Sequence, residues 1–422
     1  MYQKEVLSNN LRFIKVPMLS VESVTVQIFV RVGGRDETKE KMGLSHFLEH
    51  TVFKGTRKRP SAKKISEEIE RVGGVYNAAT GTEYTMFYVK VPREKIEVAF
   101  DVLSDVLLNS VFKKEALEKE RQVIIEEINV YEDMPMVKVE SVFSGLLFPD
   151  HALGYDLTGI KETVGKLARE DVLDYLGRHY LAQNMVLSVA GNFKPEKVDK
   201  MARHYFGAVR KGTIPGVLRF VDRQKSPQLK VFFKKTDQTH LCLGFKTFGY
   251  QDKERFKLRV LSAVLGQGAS SRLFERLRER EGLCYYVSSD ADLFLETGVF
   301  YVKAGVDNRR VEKAIKLILK ELLKIRNSRM TQKELKRAKE YLKGTLKLSL
   351  ESSDAQGSFY ATQELLFSRV LTSDQIAQKI DEVTSDDLLD LTKRVIVEEK
   401  LNLALVGPFE REETFKKLLR LT

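Results

Sequence analysis

Apolar and polar residues alternate from Val24 to Val32, with Val24, Val26, Ile28, Val30 and Val32 on one side. A period of two predicts a half-buried strand, here ending at Gly33-Gly34. Residues 4–16, before it, read as a β-hairpin around Ser8–Asn10. After it, residues 43–56 take helical spacing. Pro60-Ser61 opens an amphipathic helix with Ile65, Ile69 and Val72 on one face, closed by Gly73-Gly74. Strands are expected near 75–79 and 84–91, and helices at 94–109, 113–132 and 135–147. A loop at 151–159, a helix near 169–180, a strand at 185–190 and a helix at 195–206 complete this half.

Both periods fail in residues 207–228, where Gly207, Gly212, Pro215, Gly216 and Pro227 break any helix and basic residues dominate. Beyond this linker the order repeats. Strands are expected at 229–235 and 239–246, helices at 253–265 and 271–280, and strands at 284–289 and 295–304. Helices at 309–326, at 331–350 and from 352, a strand at 401–406 and a last helix follow. Tyr88-Val89-Lys90 precedes two helices, the second carrying Leu117 and Ile124. Tyr301-Val302-Lys303 precedes two more, the second carrying Leu335 and Leu342. The chain therefore reads as a tandem duplication of a domain of about 200 residues. The expected division is 1–206, a linker at 207–228, and 229–422. The fold class is α+β, each domain a mostly antiparallel sheet packed with helices.

Composition changes this picture little. Hydrophobic residues make up 43% and charged residues 31% of the 422, as in an ordinary globular protein. No apolar run is long enough to span a membrane, so no membrane partner is expected. Residues 1–15 are charged around a polar turn, with no apolar core of a signal peptide, and a cytoplasmic location is expected. The net charge of +12 raises nucleic acid as a partner. But Lys and Arg are interleaved with Asp and Glu, no binding signature appears, and nucleic acid is not expected. Cys242 and Cys284 lie in apolar segments and read as buried thiols, too few for a Cys-based zinc site.

The chemistry concentrates at His46, Glu49 and His50, an H-x-x-E-H pattern. Residues three and four apart share a helix face, so two imidazoles can clamp a divalent metal beside a carboxylate able to take a proton from water. A hydrolytic zinc site needs a third protein ligand. His151, His179, His204 and His240 offer no partner spacing. On the helix at 113–132, Leu117, Glu120, Ile124, Glu127 and Tyr131 fall on one face, so Glu120 and Glu127 interrupt an apolar stripe, while Glu126 falls on the polar face. A carboxylate there needs a cation or strong donors. A metal would serve, and so would bridges to surface Lys or Arg. The duplication supplies a control. Ala263, Gly266 and Gln267 align with His46, Glu49 and His50, so the scaffold does not require the motif, which favours a chemical role. Gly266-Gln267-Gly268 lacks the strand–loop–helix context of a dinucleotide site.

His46-Phe47-Leu48-Glu49-His50 with Phe53-Lys54-Gly55-Thr56, and Glu120-Arg121-Gln122-Val123-Ile124-Ile125-Glu126-Glu127-Ile128, closely resemble the pitrilysin-type inverted-zincin metallopeptidases. The processing-peptidase-like branch is the nearest in size. Asn77-Ala78, Asn184-Met185, Gly191-Asn192 and Ser270-Ser271-Arg272-Leu273-Phe274 are similar to further landmarks, and the resemblance spans the chain. It implies the family's processing-peptidase fold, one Zn2+ per chain held by His46, His50 and Glu127, Glu49 as catalytic base, and Glu120 orienting a ligand. It implies Asn77 and Ala78 on an edge strand that binds the peptide, and Arg278 and Tyr285 as a pair contacting the substrate carbonyl. Read without the family, Arg278 is a helix-surface cation, Tyr285 is strand core and Asn77 is a plain strand start. The resemblance further implies a zinc endopeptidase acting on peptides or unfolded segments inside the chamber of a homodimer, with a heterodimer as the variant. The Arg–Tyr pair would act in its own subunit or in the partner. The competing implication is a catalytically inactive structural subunit of a processing-peptidase-like complex.

Overall fold

The computed structural model of the chain describes residues 2–367 and 369–421. The chain forms two compact units. One comprises Met1–Ile128, Tyr155–Leu218 and Leu348–Leu371; the other comprises Asn129–Gly154, Arg219–Lys347 and Thr372–Thr422. The chain passes between them at 218–219, inside the expected linker, but two segments trade places against the expected division into 1–206 and 229–422. The physical reason lies in what those segments cover.

The first unit is built on β1 (Gln3–Val6), β2 (Arg12–Pro17), β3 (Ser23–Val30), β4 (Val75–Thr80), β5 (Thr85–Pro92) and β6 (Met185–Gly191), in the order β1-β2-β6-β3-β5-β4. Only the β2–β6 pair is parallel. One face packs against α1 (Leu44–Val52), α2 (Ala62–Glu70) and α3 (Ile96–Asn109) through Val26, Ile28, Phe47, Leu48, Ile65, Phe87, Val89 and Phe100. The expectation of a half-buried β3 fails here. Thr25 and Gln27, its polar positions, are fully buried. The helix Ser353–Leu366 lies on that face and meets them with hydrogen bonds: Thr25 Oγ1 to Ser353 Oγ at 2.8 Å, and Gln27 Nε2 to Ser358 Oγ at 2.9 Å. Ser188 Oγ donates to the Gly357 carbonyl at 3.1 Å. An alternating pattern thus marked a strand buried on both faces, one against apolar helices and one against a helix that adds these hydrogen bonds to apolar contacts at Phe29.

The second unit repeats the plan with β7 (Gln228–Phe233), β8 (Gln238–Phe248), β9 (Cys284–Leu293), β10 (Thr297–Asp307) and β11 (Leu401–Gly407), in the order β7-β11-β8-β10-β9. Reading β2 as β7, β6 as β11, β3 as β8, β5 as β10 and β4 as β9 makes the two orders the same apart from the outer strand β1, and again the β7–β11 pair alone is parallel. Its sheet is covered by α5 (Pro135–Leu147), which follows α4 (Lys114–Asp133) in the first half of the chain. Val139, Phe143 and Leu147 of α5 pack on Cys242, Val299, Ala404 and Val406. So each half of the chain lends one helix to the other unit. Cys242 and Cys284 are free, buried thiols, as expected.

Smaller differences have local causes. The helix expected at 271–280 winds as a π-helix over Phe274–Arg280. The helical stretch after 352 is divided by Thr372 and Thr384, each capping a new helix with its hydroxyl. Among the described residues no helix is long and apolar enough to cross a membrane.

β3 and the helix Ser353–Leu366 are in close contact at Gly357, against the Gln27 side chain. A Cβ at Gly357 would lie 2.0 Å from Gln27 Oε1. Gly357→Val is expected to cost about 1–3 kcal/mol by overpacking, read as a lower midpoint of urea unfolding. An unchanged midpoint contradicts this packing.

Candidate metal centre

The motif helix α1 starts at a glycine for a steric reason. Gly43 has φ +91°, and a Cβ there would lie 2.7 Å from the Thr158 carbonyl. No side chain of the helix itself caps this end. Glu37, buried in the preceding loop, does so instead. Its two oxygens accept from the Gly43 N–H at 2.7 Å and the Ser45 N–H at 2.6 Å. A carboxylate at a helix N-terminus answers both the unpaired N–H groups and the helix dipole. Ser45 Oγ also meets Tyr175 OH at 2.6 Å, and Tyr175 donates to the Gly33 carbonyl at 3.3 Å. This network fixes the end of α1 one residue before His46.

His46, Glu49 and His50 then share a face, with the two imidazole rings 4.5 Å apart and nearly edge-on. Across from them, α4 presents Glu127. Its Oε2 lies 3.7 Å from His46 Nε2 and 3.4 Å from His50 Nε2. Bonds of about 2.1 Å at tetrahedral angles put ligand atoms roughly 3.4 Å apart, so these three side chains fit one ion. Among the described residues this is the sole group of three His, Cys, Asp or Glu able to hold a metal. Burial, and then the neighbouring His50, push the His46 pKa down to about 4, which leaves a neutral ring with a lone pair to give. Burial also works against a proton on His50, but the hydrogen bond and charge of Glu127, with Glu49 and Glu120, outweigh it and raise its pKa. A cation at that position would take the place of this proton.

Glu120 stands behind His50, with Oε2 3.6 Å from Nδ1. Its other oxygen meets Lys54 Nζ at 2.8 Å. Both readings of the acidic face therefore apply, one to each residue: Glu120 has its lysine, and Glu127 faces the histidines. Tyr131, expected on the buried face, is exposed, and Ile128 is buried in its place. Glu49 accepts a hydrogen bond from Thr80 Oγ1, and burial raises its pKa above the usual carboxylate value. Asn77 and Ala78 lie on β4, which forms one edge of its sheet. Asn77 is exposed, and its Oδ1 accepts from the Ala78 N–H at 2.9 Å.

Arg278 and Tyr285 belong to the second unit, and the fold brings them together. Arg278 Nη1 donates to the Tyr285 carbonyl at 2.8 Å, and its guanidinium lies 5.6 Å from the ring centroid. The register of β9 against β10 shifts at Gly305/Val306, and this bulge leaves Tyr285 without a partner in β10. The ring turns outward, 74% exposed, so Tyr285 is not strand core. Among the described residues the second unit has no counterpart of the metal group. A Cβ at Gly266 would lie 2.3 Å from the Ser289 nitrogen, so no glutamate fits where α1 has Glu49. Counting on from Leu335 as from Leu117, Ala338 and Thr345 stand where α4 has Glu120 and Glu127.

The description Insulinase (Peptidase family M16) matches residues 18–159, and Peptidase M16 inactive domain matches residues 166–342. A protein of Bacillus subtilis called uncharacterized zinc protease YmxG is 34% identical over 97% of this chain and 98% of its own. The chain belongs to the M16 peptidase family. The M16 fold extends to solved structures of lower identity. A protease from Helicobacter pylori superposes with a TM-score of 0.92 at 23% identity, covering 97% of this chain and 100% of that one. A chain of the Candida albicans Complex III2 structure gives 0.86 at 19% identity, covering 99% and 98%. The inactive-domain match falls on the stretch holding Ala263, Gly266 and Gln267.

Three residues of this site had escaped the sequence reading. Lys54 carried a signal, since it lies four residues past His50 as His50 does past His46. Thr80 had only strand alternation, and Glu37, nine residues before the motif, had none. Burial pushes Glu37 up to about 7 against the pull of the Ser45 and Gly43 donors. A carboxyl raised by folding stabilises below its ordinary value of 4.5, and that contribution is lost as pH rises through about 7. Glu37→Gln is expected to flatten the fall in unfolding free energy across this window, measured by urea titration. A fall of the same size in the variant contradicts the assignment.

Proposed function

We propose that this M16 protein is a zinc-dependent endopeptidase that hydrolyses peptides or unfolded protein segments. The observation that carries the reading is the convergence of His46 Nε2, His50 Nε2 and Glu127 Oε2, with Glu49 on the same helix face. The naming of close relatives as zinc proteases supports zinc as the ion. Bound there, zinc supplies a Lewis acid for the scissile carbonyl and makes water acidic enough to ionise near neutral pH.

The chain's own groups do the rest. Glu49 takes the water proton and returns it to the leaving amine. Its raised pKa suits a group that must both accept and release a proton. Glu120, tied to Lys54, holds His50 in orientation. The edge of β4 at Asn77 and Ala78 pairs with the extended peptide through main-chain hydrogen bonds, which place little demand on substrate sequence. Arg278 and Tyr285 supply an exposed guanidinium and hydroxyl for a peptide carbonyl. The family resemblance extends the proposal to a dimer that encloses its substrates.

The likeness to a chain of Complex III2 keeps a second reading in view, a non-catalytic structural subunit. The complete His–His–Glu set with its acid speaks against it. Glu49→Gln is expected to keep about one zinc per chain while cleavage of a quenched fluorogenic peptide falls roughly 10²–10⁴-fold. A variant that cleaves at the wild-type rate contradicts the mechanism, and wild-type protein without zinc favours the structural subunit.

A further inference from the structure

β4 alternates along its length, with Val75, Asn77 and Ala79 exposed and Tyr76, Ala78 and Thr80 half-buried. The last of these meets α1. Thr80 Oγ1 donates its single proton to Glu49 Oε2. This bond ties the carboxylate to β4 through one of its oxygens. The remaining acceptor positions of Glu49 are left for water.

Thr80 is itself firmly placed. The turn that follows it closes with Gly81 N–H to the Tyr84 carbonyl at 2.7 Å. The loop before α1 grips this turn, with Arg35 N–H to the Thr82 carbonyl at 2.9 Å and a buried Arg35–Glu83 ion pair. A Cβ at Gly33 would lie 2.2 Å from the Gly81 carbonyl, so the two segments touch backbone to backbone. Glu49 has a long, flexible side chain, and Thr80 removes that freedom.

We propose that Thr80 is a positioning residue for the catalytic base, holding the Glu49 carboxylate in the orientation that accepts the water proton. The inference rests on the peptidase reading of Glu49. Thr80 lies three residues beyond Asn77, so the strand read as pairing with the peptide also sets the base.

The test compares Thr80→Val, which keeps the β-branched shape without the hydroxyl, with Thr80→Ser, which keeps the hydroxyl. Both are measured for zinc content, for affinity towards a reduced-amide peptide that cannot be cleaved, and for kcat and KM on a fluorogenic peptide. Thr80→Val is expected to keep its zinc and its affinity, with kcat lowered roughly 10–100-fold and KM changed less than about twofold. Thr80→Ser is expected to stay within about threefold of wild type, and Thr80→Val is expected to add nothing to Glu49→Gln. A wild-type kcat in Thr80→Val, a loss that Thr80→Ser does not restore, or a further loss on top of Glu49→Gln each overturns the inference. Wild-type protein that holds no zinc and cleaves nothing sinks the peptidase reading, and this inference with it. A fully active Thr80→Val sinks the inference alone.

Discussion

Negative charge gathered against two imidazoles is the constraint around which the first unit is arranged. Glu49, Glu120 and Glu127 all face His46 and His50 where α1 meets α4, in surroundings that keep most water out. Carboxylates removed from water need cations or donors, and an unmatched one is costly. Lys54 answers Glu120 and Thr80 answers Glu49. On the proposed reading a divalent ion answers Glu127 and both histidines together. It would pull α1 and α4 together through three bonds, so metal binding and the local stability of this contact are one quantity.

That arrangement depends on α1 being held at its start. Glu37 supplies the cap that the helix lacks in its own sequence, and Tyr175 and Ser45 lock the same end. The second unit shows the scaffold without the chemistry. Its helix Arg255–Gly266 runs close enough to β9 that only glycine fits at the position of Glu49, and Arg337 spends its guanidinium on the last carbonyls of that helix, Ala263 at 2.9 Å among them. Helix and strand are in close contact there, where the first unit has Glu49. In the first unit the corresponding place holds the Glu49 carboxylate and its bond to Thr80.

Much of this could be read from the chain because its signals are local. The turn of a helix sets His46, Glu49 and His50 on one face, and alternation marks β3 and β4. The repeat of strand and helix order exposed the duplication. Most of what escaped depends on contacts between separate elements. The helix Ser353–Leu366 covers Thr25 and Gln27 from more than 300 positions away, and nothing in β3 announces it. Tyr285 alternates like a core residue, and a bulge against β10 turns it outward. Glu37 looks like one acid among many until Gly43 and Ser45 turn their N–H groups towards it.

Anomalous diffraction from crystals grown with zinc, recorded on both sides of the zinc absorption edge, tests the central claim most directly. The account predicts one peak per chain, about 2.0–2.2 Å from His46 Nε2, His50 Nε2 and a Glu127 oxygen, and none in the second unit. A peak held by other residues, or no peak at these three, contradicts it.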